Sequence, residues 1–229
     1  MKVLVVGATG GCGRAVVAEL LGREHSVTAF SRHASELETG QGETGQGGSG
    51  QGDLRTIDGD VTDARAVENA VAGQDAVVVT LGISENVMRV RLLGPAHTAL
   101  DVRSRGTRNV VAAMKHRGVR RLVVQSTYGV GETSDRLSLK DRLFFAVFIK
   151  QQAADHGVQE SIVRESGVVW TIVQPIYLTD DSVADKEFVS TTGEVAVRKV
   201  SRKAVGRVLA DSVEKDEHVG ASIAVSTAS

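Results

Sequence analysis

The chain has 229 residues, of which 27 are basic and 28 are acidic, so its formal net charge is −1. This balance excludes the strongly positive surface that is typical of nucleic-acid-binding and membrane-binding proteins. Hydrophobic residues make up 41% of the chain, which excludes global disorder, and the single cysteine, Cys12, excludes an internal disulfide framework and a multi-cysteine zinc site. We therefore expect a single domain over residues 1–229, with no metal-binding residue.

The apolar segments are too short for a signal peptide or a membrane span. The N-terminal apolar run, residues 3–6, is shorter than the apolar region of about 7–15 residues in a signal peptide. The longest apolar run, residues 143–149, is far shorter than the roughly 20 residues of a transmembrane helix. We therefore expect a cytoplasmic protein.

Short apolar runs alternate with segments of helical spacing along the chain. Continuously apolar runs predict buried parallel strands at residues 3–6, 27–30, 76–80, 122–125 and 171–173. Helical spacing predicts helices at residues 14–21, 64–71, 100–116 and 159–166. This alternation predicts an α/β fold with a doubly wound parallel sheet and helices on both faces.

Local signals mark some boundaries of these elements. Thr62-Asp63 favours a helix start, and Gly118 favours a helix end. After residue 175 the sequence predicts a small C-terminal region on the substrate side. Its expected parts are a β-rich piece at 195–200, a helix at 202–212 and a strand at 222–225.

Residues 38–52 interrupt the alternation. The segment reads ETGQGETGQGGSGQG, a near-repeat with seven glycines in 15 positions and no apolar residue. Such a segment buries no apolar surface and has high chain entropy. We therefore predict a flexible Gly-rich surface insertion between the second and third strands, with a role in binding as the alternative.

A glycine-rich loop, residues 7–13, connects the first strand to the first helix and is called the glycine loop below. Its spacing is G-x-x-G-x-x-G, directly after an apolar strand. Small residues here allow a sharp turn, close approach of the backbone to a pyrophosphate, and tight packing of the helix on the strand. The N–H groups at the start of the helix favour phosphate. The pattern predicts a Rossmann-like dinucleotide site that includes Gly7, Thr9, Gly10, Gly11, Cys12 and Gly13.

The end of the second strand indicates which dinucleotide binds. Sites that prefer NAD place an Asp or Glu here to bind the ribose hydroxyls, but this strand ends with Phe30-Ser31-Arg32-His33. Ser31 and Arg32 offer a hydroxyl and a guanidinium that suit a 2′-phosphate, and Arg14 could reach the same phosphate. The alternative for each arginine is a solvated surface side chain. We predict NADP as the cofactor.

Several motifs resemble the atypical short-chain dehydrogenase/reductase superfamily. They read GATG at 7–10, GDVTD at 59–63, GTRNVVAAM at 106–114, VVQST at 123–127 and VRESGVVWTIVQP at 163–175. Within that superfamily the chain resembles the NAD(P)H-binding, NmrA-like proteins and the biliverdin-IXβ reductase/flavin reductase branch. The resemblance covers nearly the whole chain except residues 38–52.

The resemblance implies that residues after the strands contact the two ends of the dinucleotide. Those expected near the adenine and its ribose are Asp60, Val61, Leu81 and Gly82. Those expected near the nicotinamide are Ser126, Thr127, Pro175, Ile176 and Leu178. For Asp60 the alternative is a cap on the following helix. For Leu81, Ile176 and Leu178 the alternative is a place in the hydrophobic core.

The tyrosine-lysine pair of typical short-chain dehydrogenases is missing. In that pair, a lysine four residues after the tyrosine lowers the pKa of the phenol. Here Tyr128 is followed at that distance by Glu132, and Tyr177 by Asp181. The resemblance then implies flavin-reductase-like chemistry, in which the cofactor supplies the hydride and the protein orients the reactants. The candidate catalytic residues are Ser126, Thr127 and Tyr128.

Other candidates are less specific. His156 follows an aspartate in a stretch that resembles an Asp-His pair of the relatives, and its alternative is a helix-surface histidine. Glu160 falls where relatives carry histidine. The region 85–97 is a candidate lid over the substrate cleft.

These features together predict an NADPH-dependent oxidoreductase that transfers a hydride to a planar acceptor, namely a flavin, a quinone or a tetrapyrrole. FMN or FAD would then be a substrate. The alternative is a catalytically silent NADP-binding redox-sensing regulator of the NmrA type, and a third hypothesis is an assembly partner on the same scaffold. We expect a small-molecule acceptor as the partner, no nucleic acid or membrane partner, and a monomer or homodimer.

Overall fold

The computed structural model describes residues 1–39, 52–82, 98–138, 140–141, 150–181 and 186–229. Most of the predicted insertion at 38–52 therefore lies outside the described residues. The candidate lid at 85–97 and the apolar run at 143–149 also lie outside them.

The described residues form ten strands and six α-helices. The strands are β1 (Lys2–Val6), β2 (Ser26–Ser31), β3 (Leu54–Asp58), β4 (Ala76–Val79), β5 (Arg121–Gln125), β6 (Val169–Pro175), β7 (Leu178–Thr179), β8 (Glu187–Ser190), β9 (Val200–Ser201) and β10 (Ser222–Thr227). The helices are α1 (Gly11–Gly22), α2 (Glu36–Thr39), α3 (Ala64–Val71), α4 (Val102–Arg117), α5 (Lys150–Arg164) and α6 (Arg202–Glu214). A 3₁₀ helix covers Gly131–Arg136.

Eight strands form one sheet in the order β3-β2-β1-β4-β5-β6-β10-β8. All neighbours in this sheet are parallel except β10 and β8, which are antiparallel. The strand order reverses direction between β1 and β4, and ligands of such sheets bind in the crevice at the carboxyl ends of the strands at this point. The doubly wound α/β prediction is confirmed.

The sheet is buried on both faces, which explains why its strands are continuously apolar. Val3 and Val5 of β1 belong to the core beneath α1 and α6. Leu4 and Val6 belong to the opposite core, beneath α3, α4 and α5. Alternate side chains of a strand point to opposite faces, so each face receives every second residue.

The helix boundaries agree with their local signals in two places. The Asp63 carboxylate accepts from the backbone N–H groups of Arg65 at 2.9 Å and Ala66 at 3.2 Å, and so caps α3. Gly118 ends α4 with φ of +73°, a left-handed conformation that favours glycine. Helix α5 begins at Lys150, well before the predicted start at residue 159.

The strand predictions differ from the structure at the sheet edges. Strands β3, β7 and β8 are absent from the predicted set. Polar residues interrupt the apolar run of β3 and flank the two apolar residues of β8, and β7 is only two residues long. The prediction of a β-rich piece at 195–200 is wrong for most of that range. Only Val200–Ser201 forms a strand, and Val197 makes a single bridge to Thr227. Among the described residues, no helix is both long and apolar enough to cross a membrane.

Candidate functional site

A cleft of about 930 Å³ lies at the carboxyl ends of β1, β2, β4, β5 and β6. The predicted site residues in its wall are Gly7, Thr9, Gly10, Gly11, Cys12, Ser31, Arg32, Asp60, Val61, Leu81, Gly82, Ser126, Thr127, Tyr128, Pro175, Ile176 and Leu178. Gly13 and Arg14 lie outside the wall. The structure thus brings residues from six separate stretches of the chain into one cleft.

The glycine loop is packed too tightly for side chains at two positions. Gly7 has φ of +87°, and a Cβ atom there would lie 2.8 Å from the Thr80 carbonyl oxygen. A Cβ atom at Gly13 would lie 2.2 Å from the Gly7 carbonyl oxygen, so Gly13 serves the packing of α1 on the loop. The loop therefore exposes backbone to the cleft directly before a helix N-terminus, and this cradle fits the pyrophosphate of a dinucleotide.

The end of β2 forms the next part of the wall. The Thr9 hydroxyl donates to the Ser31 hydroxyl at 3.2 Å, and the Arg32 guanidinium donates to the Thr98 hydroxyl at 3.1 Å. The carboxylate of Asp58, at the end of the neighbouring strand β3, accepts from the backbone N–H and the hydroxyl of Ser35 and does not line the cleft. This corner of the cleft therefore combines hydroxyls with a guanidinium.

Arg14 occupies a different place from the one predicted. Its guanidinium Nε donates to the Thr9 carbonyl oxygen at 3.0 Å, outside the cleft wall. In this structure Arg14 therefore stabilises the glycine loop through the Thr9 carbonyl and does not line the cleft.

Asp60 and Val61 line the cleft beyond β3. One Asp60 carboxylate oxygen accepts from both the backbone N–H and the hydroxyl of Thr62, each at 2.8 Å. The backbone hydrogen bond from Thr62 is the main reason that the pKa of Asp60 lies below its ordinary value. The interpretation of Asp60 as the cap of α3 is wrong, because Asp63 caps that helix.

Leu81 and Val61 meet across the cleft wall at Gly106. A Cβ atom at Gly106 would lie 2.7 Å from a methyl carbon of each side chain. These two residues therefore both pack on α4 and line the cleft, so for Leu81 the predicted binding role and its core alternative are compatible.

Ser126 lies at the opposite end of the cleft and is held by a buried carboxylate. Its hydroxyl donates to Glu160 Oε1 at 2.5 Å, and the Glu160 side chain is fully buried. Glu160 also accepts from the Gln174 amide at 2.8 Å and from Arg164 at 3.0 Å. Because Ser126 donates its own proton to Glu160, its oxygen can act only as an acceptor towards any other group.

Tyr128 is 4% exposed, and its hydroxyl donates to the Gly193 carbonyl oxygen at 3.1 Å. Burial raises the pKa of this phenol. The tyrosine is therefore a buried residue of the cleft wall whose phenolic proton is held by a backbone oxygen.

His156 is a buried residue of the cleft wall, and its interpretation as a helix-surface histidine is wrong. It is 9% exposed, and its Nδ1 lies 3.4 Å from the Ser126 hydroxyl oxygen. Burial, together with the positive charge of Arg103, lowers the pKa of His156 to about 3. The imidazole is therefore neutral at physiological pH.

Cys12 is buried in the glycine loop. Burial raises the pKa of its thiol to about 11, so the sulfur is protonated and poorly nucleophilic at neutral pH. This agrees with the role of a small loop residue.

A cluster at the outer end of the cleft was not among the predicted sites. The Tyr177 hydroxyl donates to Asp141 at 2.6 Å, Arg198 pairs with the same carboxylate, and both Tyr177 and Arg198 line the cleft. These residues belong to separate segments with no shared motif, so no sequence signal joins them. Arg103, a buried residue of the cleft wall, was not among the predicted sites either.

Residues 7–216 match the family described as NAD(P)H-binding. A Rossmann-fold NAD(P)-binding family protein from Shigella flexneri is 26% identical, with a TM-score of 0.66 over 99% of this chain and 93% of that one. ChuY, an anaerobillin reductase from Escherichia coli O157:H7, is 19% identical, with a TM-score of 0.75 over 99% and 97% of the two chains. A short-chain dehydrogenase/reductase from Veillonella parvula, solved in complex with NADP, is 18% identical, with a TM-score of 0.75 over 98% and 94%.

Proposed function

Because the chain belongs to the NAD(P)H-binding family, we propose that it is an NADPH-dependent oxidoreductase that reduces a planar acceptor. One observation carries the proposal: a single cleft continues from the glycine loop to Ser126, Pro175 and Tyr177. A cleft of about 930 Å³ falls at the upper end of the usual range for ligand pockets. It thus offers room for a cofactor with an acceptor beside it.

The cofactor would be held mainly by the glycine loop, the end of β2 and the residues that follow β3. The glycine loop would bind the pyrophosphate, and Ser31 and Arg32 would bind the 2′-phosphate. Asp60 and Val61 would contact the adenine. The Veillonella parvula protein of the same fold was solved with NADP, which supports this choice of nucleotide.

Ser126 and Thr127, which follow β5, would orient the reactants at the other end of the cleft. When bound, the reduced nicotinamide supplies a hydride to the acceptor. The Ser126 oxygen, whose proton is directed to Glu160, would accept a hydrogen bond from the bound reactants. Tyr128 would contact a planar ring through its own ring, since its hydroxyl is bound to Gly193.

The residues of the cleft favour an acceptor that needs no strong acid from the protein. His156 is neutral with a pKa of about 3, so it is a poor proton donor at neutral pH. The phenol of Tyr128 is engaged with a backbone carbonyl. Flavins, quinones and tetrapyrroles can take their proton from water, and they are therefore the proposed acceptors.

The test is an assay of NADPH oxidation with FMN, FAD, menadione and biliverdin. A tetrapyrrole belongs in this panel because one protein of the same fold is an anaerobillin reductase. We expect turnover with at least one acceptor. Tight NADP binding without turnover of any of them would contradict the proposal and favour the silent regulator.

A further inference from the structure

Arg103 is a buried cation in the wall of the cleft. It is the second residue of α4, it is 5% exposed, and it lines the same cleft as Ser126 and His156. Arginine stays protonated in proteins, so its positive charge persists at this depth. A buried charge is unfavourable unless it is paired and hydrogen-bonded.

Two nitrogens of the Arg103 guanidinium make no hydrogen bond with the described residues. Its Nε and Nη1 atoms are buried and have no hydrogen-bond partner. The nearest carboxylate, Asp155, lies 3.9 Å from Nη1, too far for a hydrogen bond. Two donors of the guanidinium are therefore left for a further group.

The carboxylate of Asp155 already serves as the cap of α4. Its two carboxylate oxygens accept from the backbone N–H groups of Arg103 at 3.1 Å and Ser104 at 3.2 Å, so it caps the start of α4. The charge of Asp155 balances Arg103 at a distance, but its oxygens point to the helix backbone. Closing the 3.9 Å gap would weaken that cap.

The neighbours of Arg103 in the wall do not neutralise it either. His156 is uncharged at physiological pH, and the Ser126 hydroxyl is bound to Glu160. The carboxylate of Glu160 is shared among Ser126, Gln174 and Arg164. The cleft wall therefore contains a buried cation whose ion pair with Asp155 leaves two guanidinium nitrogens without a hydrogen bond to any described residue.

We propose that Arg103 binds an anionic group, a carboxylate or a phosphate, of the acceptor. The inference rests on the proposed function and narrows the acceptor to planar molecules that carry such a group. The cofactor also carries phosphates. However, the glycine loop and the end of β2 supply their own donors for these, whereas the charge of Arg103 acts on His156, which lies beside Ser126.

The test compares charged acceptors with neutral partners that have the same ring system. Suitable pairs are FMN and riboflavin, biliverdin and its dimethyl ester, and anthraquinone-2-sulfonate and anthraquinone. Dissociation constants are measured on the full chain saturated with NADP⁺, so that binding is read without turnover. The variants are Arg103→Met, which removes the charge, and Arg103→Lys, which keeps it. Arg108→Met is the control, because Arg108 lies exposed on the same helix and outside the cleft wall.

In the wild type we expect the charged member of at least one pair to bind about 10-fold more tightly than the neutral one, or better. Arg103→Met should abolish this preference while leaving the affinity for the neutral member and for NADP⁺ within about twofold. Arg103→Lys should retain part of the preference, and Arg108→Met all of it.

Two results would overturn the inference. One is that no charged acceptor binds more tightly than its neutral partner to the wild type. The other is that Arg103→Met weakens NADP⁺ binding and keeps the acceptor preference, which would assign Arg103 to the cofactor phosphates. If the preference depends on Arg103 but NADPH is not oxidised with any acceptor, the anion site stands and the proposed oxidoreductase function fails.

Discussion

The two ends of the cleft are built in different ways. At the glycine loop, the wall is mostly backbone, and tight contacts at Gly7 and Gly13 fix its shape. Around Ser126, the wall includes buried polar and charged side chains from three separate segments, namely Arg103, Ser126 and His156. A wall made of backbone keeps the same shape and hydrogen-bonding groups, so the glycine loop suits a part of the ligand that does not vary. The chemistry of the wall around Ser126, in contrast, can be changed by single substitutions. We infer that the cofactor depends on the first end and the acceptor on the second.

The largest expected effect is at Gly7. Replacing Gly7 with alanine places a Cβ atom 2.8 Å from the Thr80 carbonyl oxygen and forces a residue with a side chain to adopt φ of +87°. We expect a loss of about 2–4 kcal/mol in the free energy of unfolding, measured by chemical denaturation.

Gly73→Ala is the matched control for this substitution. Gly73 has φ of +75°, but a Cβ atom there would meet nothing within 4 Å. It should cost only the conformational part, about 1–2 kcal/mol. Equal losses at the two positions would show that the close approach in the glycine loop contributes nothing.

The next effect concerns the other end and depends on pH. The pKa of His156 is lowered to about 3 in the folded chain from an ordinary 6.5, so the unfolded chain binds more protons between these values. Stability contributed by the neutral imidazole is therefore present above pH 6.5 and is lost as the pH falls towards 3. We expect a loss of about 2 kcal/mol from this residue between pH 7 and pH 5, measured by denaturation at both values.

His156→Gln should remove this part of the pH dependence. His33→Gln, a change at an exposed histidine, should retain it. If the stability of His156→Gln falls as steeply as that of the wild type, the imidazole is not buried in its neutral form.

The smallest expected effect tests whether the end of β2, with Ser31 and Arg32, binds the 2′-phosphate. Arg32→Ala should weaken NADP⁺ binding about 10-fold and leave NAD⁺ binding nearly unchanged, because only NADP⁺ carries the 2′-phosphate. Isothermal titration of the two nucleotides measures both values. Arg14→Ala should have the weaker effect on NADP⁺, since its guanidinium is held at the Thr9 carbonyl. The reverse order would place Arg14 at the phosphate.

The same contrast explains how much could be predicted from the sequence. The glycine loop is a continuous motif of seven residues, so the sequence predicts the end of the strand, the turn and the start of the helix together. Buried strands were predicted within a few residues because both faces of the sheet are covered. Edge strand β3 was not, since Arg55, Thr56 and Asp58 break its apolar run.

The far end of the cleft could be predicted only in part. Ser126 and Thr127 follow a recognisable strand, but the carboxylate that orients Ser126 lies 34 residues further on. Nothing local distinguishes Glu160 from an exposed helical glutamate, and nothing local shows that Arg103 is buried. Both properties arise from the docking of α5 on α4, which spacing within one helix does not encode.

The cap of α4 has a consequence for how the chain assembles. Asp101, at the usual capping position, makes no such bond, and Asp155 supplies it from 51 residues away in the sequence. The start of α4 is thus completed by a distant partner rather than by its own neighbours. The contact between Asp155 and the start of α4 forms only after the long stretch of chain between them has closed into a loop. The part of the cleft wall around Arg103 should therefore become ordered late in folding, after the strand and helix that flank the glycine loop.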